Sequence, residues 1–87
     1  MCTYTTIRTG VDGSAKGPHD GWFHVTDATV CFDHPVHAMA EHTLNIDIAD
    51  PARGPSARVA VELTAESARA LLAAIHAALE AAAGLTA

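Results

Sequence analysis

Lysine is nearly missing from this chain. Lys16 is the only one, and with four arginines it stands against ten aspartates and glutamates, for a formal net charge of −5. No basic cluster exists to displace counterions from phosphates, so nucleic-acid binding lacks its electrostatic footprint. Attraction to an anionic membrane surface is disfavoured for the same reason. Cysteine is scarce too, with Cys2 and Cys31 alone, which excludes a disulfide-dense scaffold. The opening Met1-Cys2-Thr3-Tyr4-Thr5-Thr6 has no apolar core of a secretion signal. No apolar run approaches the ~20 residues of a membrane span. These absences together point to the cytoplasm, where both thiols stay reduced and a Cys2–Cys31 bridge is not expected.

What is present starts with size. Eighty-seven residues make one α+β domain spanning 1–87, small enough that its own core is a modest source of stability. Chains of this length often gain the rest from a metal or a second subunit. Six histidines outnumber the lysine and arginines combined, so metal binding and pH response both stay open.

Hydropathy patterning predicts an antiparallel sheet of four to five strands with one C-terminal helix packed on one face. Residues 2–9 favour a strand, rich in Thr with Tyr4 and Ile7. Gly10 to Gly21 holds four glycines and Pro18 and reads as a long loop. Trp22–Val25 and Asp27–Asp33 read as two strands, or as one strand with a bulge near Thr26-Asp27, and Pro35 stops the second. Residues 42–48 alternate cleanly, with Leu44, Ile46 and Ile48 inward and Thr43, Asn45 and Asp47 outward. Residues 50–55 form a turn segment, and residues 58–63 repeat the alternation with Val59, Val61 and Leu63 inward. Thr64 is placed to cap a helix over about 65–83, with Glu66 in its first turn and Gly84 at its end. Ala68, Leu71, Leu72, Ile75, Ala78, Leu79 and Ala82 make its apolar stripe. Trp22 and Phe23 read as core anchors, and His76 and Glu80 as a surface pair one helical turn apart.

Several segments carry a resemblance: Met1-Cys2-Thr3-Tyr4-Thr5; Thr26-Asp27-Ala28-Thr29-Val30 with Phe32-Asp33-His34-Pro35-Val36-His37; Glu41-His42-Thr43-Leu44-Asn45-Ile46-Asp47; and Ala57 to Leu63. They resemble a family of short bacterial proteins of unknown function, over nearly the whole chain. The resemblance implies a complete small protein and supplies no catalytic residue.

Chemistry concentrates between residues 34 and 42. His34, His37 and His42 put three imidazoles beside Glu41 in one connection stiffened by Pro35. Borderline divalent metals such as zinc or copper take such nitrogen donors, and a catalytic zinc site wants three protein ligands and one open position. Cys31 could add a thiolate, but its alternation faces it away from His42, which shares its side with Leu44 and Ile46. Ordinary loop histidines are the plainer reading of the same residues. The spacing is neither an H-E-x-x-H helix nor a paired C-x-x-C.

Acid–base chemistry is the second option. Asp33, Asp47, Glu62 and the nearby histidines would hold a proton donor and acceptor together, although alternation alone creates such a polar face. Removal of Met1 would expose the Cys2 thiol beside a free amine. Gly13-Ser14-Ala15-Lys16-Gly17 lacks the order and the following helix of a phosphate loop, which excludes nucleotide binding. Three readings therefore stay open. One is a small cytoplasmic binding protein, in its sharpest form a transition-metal protein using His34, His37 and His42. The second is a small oligomeric acid–base enzyme of isomerase or cyclase type acting on a small molecule. The third is a non-catalytic protein interaction module. Exposed sheet edges favour a homo-oligomer, a dimer being the commonest closed form.

Overall fold

The computed structural model describes residues 5–18, 21–36 and 38–85. Four strands run β1 (Thr6–Gly17), β2 (Gly21–Asp33), β3 (Thr43–Ala49) and β4 (Arg58–Leu63), followed by helix α1 (Ala65–Ala81). Each strand pairs antiparallel with its sequence neighbours, in the order β1-β2-β3-β4. The chain is an α+β meander, as its alternation predicts.

Register explains which side chains share a face, because directly opposed residues point the same way. One row runs Ile7, Val30, Ile46, Val61, and the next row on that face runs Phe32, Leu44, Leu63. The opposite face carries Arg8, Thr29, Asp47 and Ala60 in one row and Cys31, Asn45 and Glu62 in another. α1 lies beside the apolar face, and its Ala65, Ala68, Arg69, Leu71, Leu72 and Ile75 line an open groove together with Val30, Phe32, Leu44 and Ile46.

Two expectations change here. The segment from Gly10 to Gly21 is not a long loop: β1 continues through Gly17, which pairs with Gly21 at the start of β2. An edge strand rich in glycine carries almost no apolar signal of its own, so pairing with β2 makes it a strand. Trp22 is not a core anchor. It is 69 % exposed, whereas Phe23 is buried; adjacent strand residues point to opposite sides, and Phe23 takes the inner one. The readings for residues 22–25 and 27–33 resolve as the single strand β2. Its irregularity sits in β1, where Val11 and Asp12 oppose Thr26 alone, between the pairs Gly10–Asp27 and Gly13–Val25. The predicted strand start at residues 2–4 and the Cys2 thiol lie outside the described residues.

At this bulge the alternation of β2 breaks. Buried Val25 and Ala28 are three residues apart rather than two. Phe23 and Val25 form the main buried cluster with Ala57, and Val11, Ala15, Ile48 and Val59 pack against it. The Asp50–Ala57 connection brings Ala57 there: Asp50 N–H donates to the Ala57 carbonyl at 3.0 Å, and a 3-10 turn spans Pro51–Arg53. Gly54 closes that turn with φ 99°, a conformation costly for any side chain with a Cβ.

α1 starts as expected. Thr64 Oγ1 accepts the Ser67 N–H at 3.1 Å, supplying a partner to an otherwise orphaned amide of the first turn. The helix ends at Ala81, and Gly84 follows with φ 91°. Along α1 no residue is buried: Leu71, Leu72, Ile75 and Leu79 are 42, 67, 50 and 63 % exposed. Among the described residues no helix is long and apolar enough to cross a membrane.

Candidate functional site

The β2–β3 register decides where the histidines go. Asp33 opposes Thr43 as the last pair of the ladder, so the next residues outward, His34 and His42, emerge opposite each other. Their ring centroids stand 4.6 Å apart at an interplanar angle of 30°. His42 also stacks on Phe32, with centroids 5.8 Å apart and planes at 14°. The result is a short pile of Phe32, His42 and His34, rooted in the apolar face beside the helix. His42 lies on the side of Leu44, as its parity implies; Cys31 lies half-buried on the polar side and does not join the pile.

Hydrogen bonding orients the first ring. His34 Nδ1 is 3.1 Å from the Glu41 carbonyl oxygen. A carbonyl only accepts, so Nδ1 carries the proton, and in the neutral ring Nε2 is left with a lone pair. The His34 N–H donates to Asp33 Oδ1 at 2.7 Å, tying down the start of the connection. Its middle is held by Glu62 on β4, whose carboxylate accepts Val36 N–H at 2.6 Å and Ala38 N–H at 2.9 Å. One carboxylate thus satisfies two loop amides that the sheet ladder cannot reach. Nothing in the sequence pattern marks Glu62 for this task beyond its place on the polar face.

His37, the third histidine of the expected cluster, lies outside the described residues. Among the described residues no group of three His, Cys, Asp or Glu side chains is gathered to hold a metal ion. The carboxylates considered for acid–base work all have structural partners. Asp33 holds His34 N–H and Glu62 the two amides. Asp47 makes a two-pronged pair with Arg58, Oδ1 to Nε at 3.1 Å and Oδ2 to Nη2 at 2.6 Å. That hydrogen bond, reinforced by the charge of Asp47, raises the Arg58 pKa above its ordinary value against a small opposing burial effect. On the hairpin of β1 and β2, His24 Nε2 donates to Asp12 Oδ1 at 2.8 Å, where the bulge pushes Asp12 outward. His76 and Glu80 approach only to 4.0 Å on the exposed side of α1.

Two concavities flank the histidine pile. Between α1 and the apolar face lies a groove of about 550 Å³, lined by carbon except for Arg69. On the other face, a hollow of about 750 Å³ runs beneath Val36 and Ala38 and over Thr29, Cys31, Asn45 and Arg58. Phe32 belongs both to the apolar groove and to the pile, so the imidazoles stand at the groove's end. The groove was not legible in the sequence, since an apolar stripe on a helix and one on a sheet read as mutual partners.

Fold and site together define a small α+β meander with a C-terminal helix and a histidine pair at one hairpin end. The chain belongs to a family of unknown function (DUF6295), whose model matches residues 1–87. No curated protein and no solved structure matches it.

Proposed function

We propose that this is a small cytoplasmic, homo-oligomeric binding protein that takes a divalent transition metal, zinc or copper, at His34 and His42, with His37 as the third nitrogen donor. The observation that carries the reading is the oriented His34 ring. Its Nδ1–H is committed to the Glu41 carbonyl, and its ring centroid stands 4.6 Å from that of His42. Metal-binding histidines are commonly arranged this way, one ring nitrogen donating to a carbonyl so that the other is fixed as the ligand. Two imidazoles close together at neutral pH supply the donors that zinc and copper prefer over oxygen-rich sites. The loop latch formed by Glu62 supports the same reading, because it restrains the connection from which the third donor comes.

Metal content of untagged protein purified without chelators tests this. Near-stoichiometric zinc or copper, lost in His34→Gln and in His42→Ala while both variants stay folded by circular dichroism, is the expected result. Protein that takes up no metal on dialysis against either ion, with native spectra throughout, overturns it.

A further inference from the structure

We infer that the groove between α1 and the sheet, together with the exposed stripe of α1, is the interface of a two-fold dimer of this chain. The inference rests on the oligomeric part of the reading above and is independent of the metal.

The argument begins with surface. Folded monomers follow a size scaling that gives ~4,850 Å² for a chain of this mass. This chain of 9.0 kDa exposes 6444 Å². The excess is about 1,600 Å², roughly twice what each partner of a standard interface loses. The radius of gyration agrees: it is 14.3 Å, against ~12 Å for a compact domain of this length. Part of the exposed surface is an apolar stripe on one helix: Leu71, Leu72, Ile75 and Leu79 are 42 to 67 % exposed. The groove beside them is open and carbon-lined. A single apolar surface of this kind is what monomeric proteins rarely leave bare.

A second copy suits this surface because the stripe is self-complementary. A two-fold axis through Ile75 lays the two helices antiparallel and sets Leu71 against the partner's Leu79. Leu72 then meets the partner's Ala78, a large residue against a small one, which lets the helices approach closely. Arg69 at the groove edge falls beside Ala81 and Glu80 of the partner subunit, so opposite charges close both ends of the contact. Antiparallel packing also opposes the helix dipoles favourably. Isologous pairing of this type closes on itself and leaves no unmatched patch to drive fibres.

Sedimentation velocity on untagged protein over a range of micromolar concentrations is the test. The expected species is twice the 9.0 kDa chain mass. Ile75→Glu places a charge on the axis and raises the dissociation constant by ~30-fold or more, the loss typical of a central anchor, with the helical circular dichroism retained. Arg69→Glu weakens the dimer, and adding Glu80→Arg restores it. In a Cys2→Ser, Cys31→Ser background, Ile75→Cys cross-links to its own copy under mild oxidation, which covers the case of an unfolded Ile75→Glu. A dimer unaffected by Ile75→Glu overturns this interface and leaves oligomerisation standing. A monomer at every concentration overturns both, including one whose groove instead takes up an apolar dye.

Discussion

Replacing Glu62 removes a carboxylate that ties the middle of the 34–42 connection to the sheet. Its two bonds to Val36 N–H and Ala38 N–H are 2.6 and 2.9 Å long. Hydrogen bonds to a charged group contribute ~1.5–3 kcal/mol each when well sheltered. Glu62 is half-buried, so water competes and the lower end applies, giving about 2–3 kcal/mol for the pair in Glu62→Ala. For a domain of this size each kcal/mol moves Tm by roughly 4–8 °C, so the expected drop is roughly 10–20 °C. Glu62→Gln keeps one acceptor oxygen and should lose about half as much. Thermal unfolding followed by circular dichroism gives the stability, and amide hydrogen exchange at Val36 and Ala38 reports the latch itself. Both amides should exchange much faster in Glu62→Ala while those of β3 stay protected. If Glu62→Ala lies within ~0.5 kcal/mol of the parent, the ordinary span of neutral surface changes, the latch does not hold the loop and the reasoning fails.

Phe23→Ala empties the centre of the main cluster, where Phe23 is 4 % exposed against Val25 and Ala57. A cost of ~3–5 kcal/mol follows, enough to leave a substantial unfolded fraction at 37 °C, which a urea titration reads directly. Arg58→Ala should cost at most ~1 kcal/mol, since both partners of the Asp47 pair are well exposed. The Arg58 pKa is raised, so while the Asp47 carboxylate is ionised its contribution is present below the ordinary, strongly alkaline arginine pKa and fades only above that. The difference between parent and variant should therefore be flat through neutrality, and a difference that changes across that range in chemical denaturation would contradict the assignment.

Much of this fold was legible in the sequence, for a reason visible residue by residue. β3 and β4 sit mid-sheet or against the helix with one wet and one dry face, so Leu44-Asn45-Ile46 and Val59-Ala60-Val61 alternate as strands should. Thr64 and Pro35 are local signals whose effect depends on the backbone alone, and both act where expected. β1 was only half legible because its second half is held by β2 rather than by its own side chains; Gly10, Gly13 and Gly17 read as loop in isolation. Trp22 and Phe23 carry similar apolar weight, and only the register past the bulge decides which turns inward. In the site, the closeness of His34 and His42 followed from a short return between two strands. The Glu62 latch did not, because it depends on how the connection folds back over the polar face, a matter of three-dimensional path and not of pattern.

The order β1-β2-β3-β4 has a consequence for how the chain comes into being. Every strand pairs with the one made just before it, so each pairing closes a short stretch of chain and the average contact is local. Topologies of this kind fold quickly for their content of sheet. The helix follows all four strands in chain order. During synthesis the row of Val30, Phe32, Leu44 and Ile46 is therefore assembled before its cover exists, and the nascent hairpins carry a sticky surface until residues 65–81 clear the ribosome. Such transient exposure invites association between growing chains. Clustered translation of one message would bring that same surface together with its copies.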